Sequence, residues 1–261
     1  MAEVKSYAAG TPSWVDLMTS DPEASRNFYR ELFGWELEVG PPETGHYTIC
    51  RLRGHNVAGL GGEPAPDGTP TAWTTYIAVD DVDAAAGRIT GNGGSLLMGP
   101  LDVMTQGRMA VASDPTGAVF GLWQAGEHVG ATLVNEPGTV NWNELNSRDL
   151  ATARQFYGAV FGYDWQDVDT GQGGPQYATF QVGGRDVGGA LQMTDQWPAE
   201  VPSHWIVYFG VDDTDASVAT IQRLGGAVLM PPTDSPYGRF AAVRDPQGAV
   251  FTVIKSAVPS G

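Results

Sequence analysis

The chain has 261 residues, of which 42% are hydrophobic and 10% aromatic, so it can bury real cores and is not globally disordered. Its formal net charge of -16 leaves no basic patch for phosphates, which argues against nucleic acid and against an anionic membrane surface as partners. The N-terminal stretch lacks the apolar segment of a signal peptide, no run approaches the roughly 20 apolar residues of a membrane helix, and the single cysteine allows no intrachain disulfide, so we expect a cytoplasmic protein.

In chain order, the first half predicts two successive βαβββ units. In the first, a strand over 13–19 leads to Ser20 or Asp21 as helix N-cap, Pro22 opens the helix and Gly34 ends it. The remaining strands of this unit are predicted over 35–39, 46–53 and 57–62. In the second unit, a strand over 73–79 precedes a helix capped by Asp80, and strands follow over 95–99, 108–113 and 118–124.

The second half repeats the first. The segment WVDLMTSDPEASRNFYRELFGW from Trp14 matches WNELNSRDLATARQFYGAVFGY from Trp142, YIAVDDVDA matches YFGVDDTDA, and SDPTGAVF matches RDPQGAVF. We therefore predict an α+β protein with a first domain over 1–125, a linker over 126–139 and a second domain over 140–261. Each domain would fold its two βαβββ units into a cup-shaped sheet with the helices outside, and the partly apolar linker would pack against a domain.

These motifs resemble the vicinal-oxygen-chelate superfamily, which includes glyoxalases, extradiol dioxygenases and bleomycin-resistance proteins. The tandem arrangement is most similar to two-domain glyoxalase-like proteins of the actinobacterial type. The resemblance implies three metal-ligand positions in each domain, but these positions hold Trp14, Thr74 and Gly121 in the first half and Trp142, Ile206 and Thr252 in the second. We therefore predict no metal site of the usual kind and no cofactor. In the alternative, Glu144 and His204 would bind a divalent ion such as Zn, Ni, Mn or Fe.

Alternation along the strands predicts which side chains line the cups. Asp16 and Glu144 are the candidate catalytic residues, as general acid or base. The candidate ligand-binding residues are Trp14, Tyr76, Trp123, Trp142, Asn146, His204, Tyr208 and Thr252. A structural alternative pairs the two carboxylates with Arg108 or Arg239, and the aromatic residues could equally fill the barrel. His46, His55 and His128 are expected to be exposed.

Aromatic walls with a few placed polar groups favour a small, flat organic ligand. Four functions stay open: a binding protein for sequestration or resistance; a metal-free enzyme of lyase, isomerase or oxygenase type; a metal-dependent lyase or dioxygenase; and a protein-interaction module with vestigial cups. The ligand would be an aromatic small molecule, and the chain could act as a monomer or homodimer because each half supplies a complete cup.

Overall fold

A computed structural model describes residues 3–65, 68–171 and 173–257. The first half forms an eight-stranded sheet in the order β2-β3-β4-β1-β5-β8-β7-β6. Its elements are β1 (Pro12–Met18), α1 (Pro22–Phe33), β2 (Glu36–Val39), β3 (Thr48–Leu52), β4 (His55–Leu60), β5 (Ala72–Ala78), α2 (Val82–Gly91), β6 (Ser95–Val103), β7 (Gly107–Ser113) and β8 (Val119–Ala125).

The second half repeats this topology in a sheet of order β10-β11-β12-β9-β13-β16-β15-β14. Its elements are β9 (Val140–Ser147), α3 (Leu150–Phe161), β10 (Asp164–Val168), β11 (Tyr177–Val182), β12 (Arg185–Gln192), β13 (His204–Gly210), α4 (Thr214–Arg223), β14 (Ala227–Ser235), β15 (Gly238–Arg244) and β16 (Val250–Ser256). The predicted α+β fold of two tandem cup-shaped sheets, each made of two βαβββ units, is confirmed.

Local sequence signals set the helix ends. Asp21 caps α1 by accepting a hydrogen bond from the backbone N–H of Ala24, Pro22 occupies the first turn, and Gly34 closes the helix in the left-handed region at φ 71°. The cap of α2 is Asp81 rather than the predicted Asp80, because its side chain accepts from the N–H of Ala84. The helices therefore begin where the sequence indicates, within one residue.

The helix-bearing faces of the two sheets pack against each other, so the main cores are shared between the halves. One core joins α1 and its strands to α4, β13 and β16 of the second half, and it includes Phe33 and Phe209 with ring centroids 5.0 Å apart. The other joins α2 and its strands to α3 and β9. Because each half completes the core of the other, the amphipathic faces of the helices have their partners within this chain.

The Asp-Pro-x-Gly turns in the repeated segments SDPTGAVF and RDPQGAVF help to join the halves. Asp245 accepts hydrogen bonds from the backbone N–H groups of Gln247 and Ala249, which fixes the turn between β15 and β16. Its other carboxylate oxygen accepts a hydrogen bond from the hydroxyl of Tyr29 on α1, across 3.0 Å. This turn therefore joins the second half to α1 of the first half.

Among the described residues, no helix is both long and apolar enough to span a membrane. The segment between the two sheets packs as its apolar character predicts, with Ala131 and Leu133 buried. The backbone N–H of Ala131 donates to the carbonyl of Ser13, and that of Thr132 donates to the carbonyl of Asn56. This segment is therefore held against the ends of β1 and β4.

Candidate functional site

The concave face of the first sheet carries a chain of polar groups around Asp16. The indole N–H of Trp14 donates to the hydroxyl of Tyr47 across 2.9 Å, and that hydroxyl donates to Asp16 Oδ2 across 3.2 Å. The hydroxyl of Tyr76 also hydrogen-bonds to Asp16. Asp16 is half-buried and is held by two phenol groups, of which only Tyr76 was predicted from the sequence.

The second cup repeats this arrangement around Glu144. The indole N–H of Trp142 donates to the hydroxyl of Tyr177 across 3.1 Å, and Tyr208 donates to Glu144 Oε1 across 3.0 Å. Tyr177 makes a further hydrogen bond to Glu144, and the hydroxyl of Thr252 makes a hydrogen bond to Tyr208. We call each set, Trp14–Asp16–Tyr47–Tyr76 and Trp142–Glu144–Tyr177–Tyr208, a carboxyl–tyrosine cluster.

Glycines on neighbouring strands make room for these tyrosines. A Cβ atom added to Gly59 would overlap the hydroxyl of Tyr47, and one added to Gly189 would overlap the hydroxyl of Tyr177. These glycines lie at equivalent places, since Asp16 pairs with Gly59 and Glu144 pairs with Gly189. The close approach of a phenol to the strand backbone therefore requires glycine in both halves.

Burial gives both carboxyl groups an unusual acidity. Desolvation raises the pKa of Asp16 to about 7, and hydrogen bonds from Tyr47 and Tyr76 oppose that rise without cancelling it. Desolvation likewise raises the pKa of Glu144 to about 7, against hydrogen bonds from Tyr208 and Tyr177. Near neutral pH each carboxyl group is therefore divided between a form that accepts a proton and a form that donates one.

The proposed pairing of these carboxylates with Arg108 or Arg239 is wrong. Arg108 forms ion pairs with Asp83 and Asp102, at the first turn of α2 and on β6. Arg239 pairs in the same way with carboxylates of α4 and β14. Each arginine is paired with one aspartate on a helix and one on the neighbouring strand. The partners of the carboxyl groups in the cups are therefore phenols and not guanidinium groups.

The segment between the halves covers the first cup. The ring of His128 packs edge-on against Trp14 at 4.5 Å between centroids and against Trp123 at 5.5 Å. The indole N–H of Trp123 donates to the carbonyl of His128, and Ala131 is buried with Trp14, Tyr76 and Trp123. The expectation that His128 is exposed is wrong, and burial lowers the pKa of its imidazole to about 4.

The other predicted histidines lie elsewhere. His46 is exposed, as expected, and its Nδ1 faces the carbonyl of Gly40. His55 begins β4 and is half-buried, so the expectation that it is exposed is wrong. His204 begins β13 in the second cup and is half-buried beside Asn146. Among the sequence-predicted residues, the structure therefore places Trp14, Asp16, Tyr76 and Trp123 around one cup, and Trp142, Glu144, Asn146, His204, Tyr208 and Thr252 around the other.

The positions that bind metal in similar families do not fit a metal ion here. In the first half, Gly121 lies opposite Tyr76, and a side chain at Gly121 would overlap the ring of that tyrosine. In the second half, Thr252 occupies the equivalent position and bonds to Tyr208. Within the described residues, no three His, Cys, Asp or Glu side chains lie close enough together to hold a metal ion.

Sequence reasoning missed Tyr47 and Tyr177, although a signal for them was present. Both residues come just before or at the start of the third strand of their unit, and the internal repeat places them at matching positions. They were overlooked because cup-facing residues were predicted only on the strands over 13–19, 73–79 and 118–124 and on their repeats, although Tyr47 lies within the strand predicted over 46–53. Repetition alone would have identified them as a matched pair.

Comparison with known proteins agrees with this architecture. The family model described as the Glyoxalase/Bleomycin resistance protein/Dioxygenase superfamily matches residues 11–122 and 139–253. A putative glyoxylase, CFP32, from Mycobacterium tuberculosis is 46% identical over 98% of this chain and 99% of its own length. The anthracycline biosynthesis protein DnrV from Streptomyces peucetius is 38% identical, over 95% of this chain and 94% of its own.

Solved structures share the fold at low sequence identity. The Mn(II)-bound glyoxalase from Novosphingobium aromaticivorans has a TM-score of 0.63 at 16% identity, over 97% of this chain and 87% of that one. The 2,3-dioxygenase LapB from Pseudomonas sp. KL28 has a TM-score of 0.66 at 14% identity, over 97% and 96%. With both halves matched by the family model, the chain belongs to the glyoxalase/bleomycin resistance protein/dioxygenase superfamily.

Proposed function

We propose that this protein binds a small aromatic organic molecule in its cups and does so without the metal site of its superfamily. The observation that carries the proposal is the carboxyl–tyrosine cluster, which recurs in both halves with an indole beside it. A concave wall of aromatic rings with a few fixed polar groups is typical of a small-molecule site and favours a flat ligand. The relative named for anthracycline biosynthesis supports the same ligand class, since anthracyclines are polycyclic aromatic compounds.

Acid–base chemistry is the second candidate function, and the acidity of the carboxyl groups favours it. A group with a pKa of about 7, as for Glu144, exchanges protons efficiently near neutral pH. Tyr208, which donates to Glu144, could instead donate to a ligand carbonyl and polarise it. This combination suits lyase or isomerase reactions in which a proton leaves one carbon or oxygen atom and returns to another.

Calorimetric titration tests the binding proposal. We would titrate the chelator-treated protein with 2,6-naphthalenediol and with its fully saturated counterpart, which keeps both hydroxyl groups but has no aromatic face. The proposal predicts saturable binding of the aromatic compound that survives the chelator and at least tenfold weaker binding of the saturated one. Equal affinities would contradict an aromatic-lined site, and binding that returns only with added metal would favour the metal-dependent alternative through Glu144 and His204.

A cytoplasmic location belongs to the same proposal. The single cysteine, Cys50, is buried and unpaired, as is common in proteins of reducing compartments. Cell fractionation with an untagged protein would test it, and recovery outside the cytoplasm would contradict it.

A further inference from the structure

The second cup contains a polar pair that the first cup lacks. Asn146 on β9 lies directly opposite His204 on β13, and the equivalent pair in the first cup is Met18 opposite Ala72. Asn146 follows Trp142 and Glu144 at two-residue intervals, so its side chain shares the concave face with the carboxyl–tyrosine cluster. The two cups therefore have the same cluster but different chemistry beside it.

The hydrogen bonds of His204 fix the orientation of the Asn146 amide. His204 Nδ1 lies 2.8 Å from the carbonyl oxygen of Pro202, and a carbonyl can only accept, so Nδ1 carries the proton. In the neutral ring, Nε2 is then an acceptor, and it faces the Nδ2 group of Asn146 at 3.4 Å. The amide nitrogen of Asn146 therefore donates to His204, and its oxygen must find a donor elsewhere.

Within the part of the chain that the structure describes, that donor is missing. Asn146 Oδ1 is buried without a hydrogen-bond partner, and the whole residue is only 2% exposed. A buried acceptor left unpaired costs free energy, which a ligand that supplies a hydroxyl or N–H group would recover. A ligand of this cup should therefore bring a hydroxyl or N–H donor to this oxygen.

The two cups are covered at different ends. Glu144 and Asn146 are buried in the second cup, whereas the equivalent Asp16 is half-buried and Met18 is exposed. At the indole end the order is reversed. The segment containing His128 buries Trp14 and Tyr76 in the first cup, whereas the equivalent Trp142 and Tyr208 are half-buried. Trp123, which bonds to that covering segment, is replaced by Ile254 in the second cup. A different segment contacts the second cup: the ring of Trp197, in the loop before β13, lies 5.8 Å from the ring of His204.

We propose that the second cup is the recognition site for a hydroxylated aromatic ligand, and that Asn146 Oδ1 accepts a hydrogen bond from a ligand hydroxyl while a second polar atom meets Glu144. This inference rests on the proposed function and names the ligand class and the cup. Two residues along a strand span about 6.8 Å, so the two polar groups lie on different parts of a flat ring system. The polar atoms of such a ligand are farther apart than the two adjacent oxygens of a ligand that chelates a single ion.

Two probes and two cups allow a matched test. We would titrate 2,6-naphthalenediol and its dimethyl ether, which has the same ring but cannot donate, into the wild type, Asn146→Leu and Met18→Leu. The inference predicts one diol per chain and a preference for the diol over the ether. Asn146→Leu should shrink this preference about fivefold to tenfold, because one neutral hydrogen bond is lost, while Met18→Leu leaves it unchanged.

Failure of the inference and failure of the proposed function give different results. Two equivalent diol sites, or a diol preference that survives Asn146→Leu, would overturn the inference while aromatic binding itself stood. Failure of both compounds to bind the wild type would overturn both. Asn146→Ala, which removes the acceptor without filling its space, is the second variant should the leucine variant not fold, and the same loss of preference is expected from it.

Discussion

Replacing Glu144 by glutamine should make the protein more stable at high pH, although it removes a hydrogen-bonded residue. Glu144 is 8% exposed, and burial raises its pKa from an ordinary 4.5 to about 7. Between these values the folded protein keeps the carboxyl proton that the unfolded chain releases. Folding stability therefore falls as pH rises through this window, and it is fully retained only below about pH 4.5.

The size of the effect follows from the same two values. At about 1.4 kcal/mol for each tenfold change in proton affinity, the ionised Glu144 costs about 3 kcal/mol above pH 7. About 2 to 3 kcal/mol of this cost should appear between pH 5 and pH 8.5. Glutamine has nearly the same shape, keeps a carbonyl oxygen for Tyr208, and does not ionise, so the variant avoids this cost.

Urea unfolding at pH 5 and pH 8.5 measures the difference, with free energies extrapolated to water. The stability of Glu144→Gln relative to the wild type should increase by about 2 to 3 kcal/mol from the lower to the higher pH. Glu200→Gln, at an exposed glutamate of the same half, is the control and should show no such change. A difference between Glu144→Gln and wild type that does not vary with pH would refute the assignment of a protonated, desolvated carboxyl group.

Three further substitutions test the cluster and the shared core. Tyr177→Phe removes a hydrogen bond that lowers the pKa of Glu144, so the pH midpoint of the Glu144-dependent stability change should rise above about 7, and an unchanged midpoint would contradict the contact. Gly189→Ala should destabilise the fold by about 1 to 3 kcal/mol because the new Cβ overlaps the hydroxyl of Tyr177, whereas Gly158→Ala, whose Cβ meets no close atom, should not destabilise it in the same urea assay. Phe209→Ala should cost about 3 to 5 kcal/mol in a single thermal transition of the whole chain, and two separate transitions would show that the halves unfold independently.

The sequence predicts the fold and the faces of the strands well, because both depend on local patterns that occur twice. Alternation placed Trp14 and Asp16 on one face of β1. In the structure, Val15 and Leu17 lie on the opposite face, in the helix-side core, as alternation requires. The second sheet was predicted from the internal repeat alone, because its segments match those of the first half. These features are local, so the sequence contains enough information to specify them.

Contacts between distant segments could not be predicted in the same way. An amphipathic helix shows that one face is buried but not that Phe33 meets Phe209 of the other half. The burial of His128 depends on the path of the linker over the first cup, which its composition does not encode. Arg108 was assigned the wrong partner because the register of β6 and β7, which places Asp102 opposite it, was unknown.

The polar half of the site was predicted only in part for a related reason. Glu144 and Tyr208 were identified from strand alternation, but their hydrogen bond depends on the pairing of β9 and β13. Tyr177 comes from a strand on the other side of β12 and reaches Glu144 across Gly189. A cluster assembled from three strands is visible only when the sheet order is known.

The most direct test of a metal-independent cup is to measure metal content and ligand binding on the same sample. We would determine Zn, Ni, Mn and Fe in the purified protein by elemental analysis, before and after incubation with each ion, and titrate 2,6-naphthalenediol calorimetrically in each state. We expect well under one ion per chain and the same Kd for the diol throughout. One tightly held ion per chain, with diol binding that depends on it, would contradict a metal-independent cup and identify Glu144 and His204 as the residues to test as metal ligands.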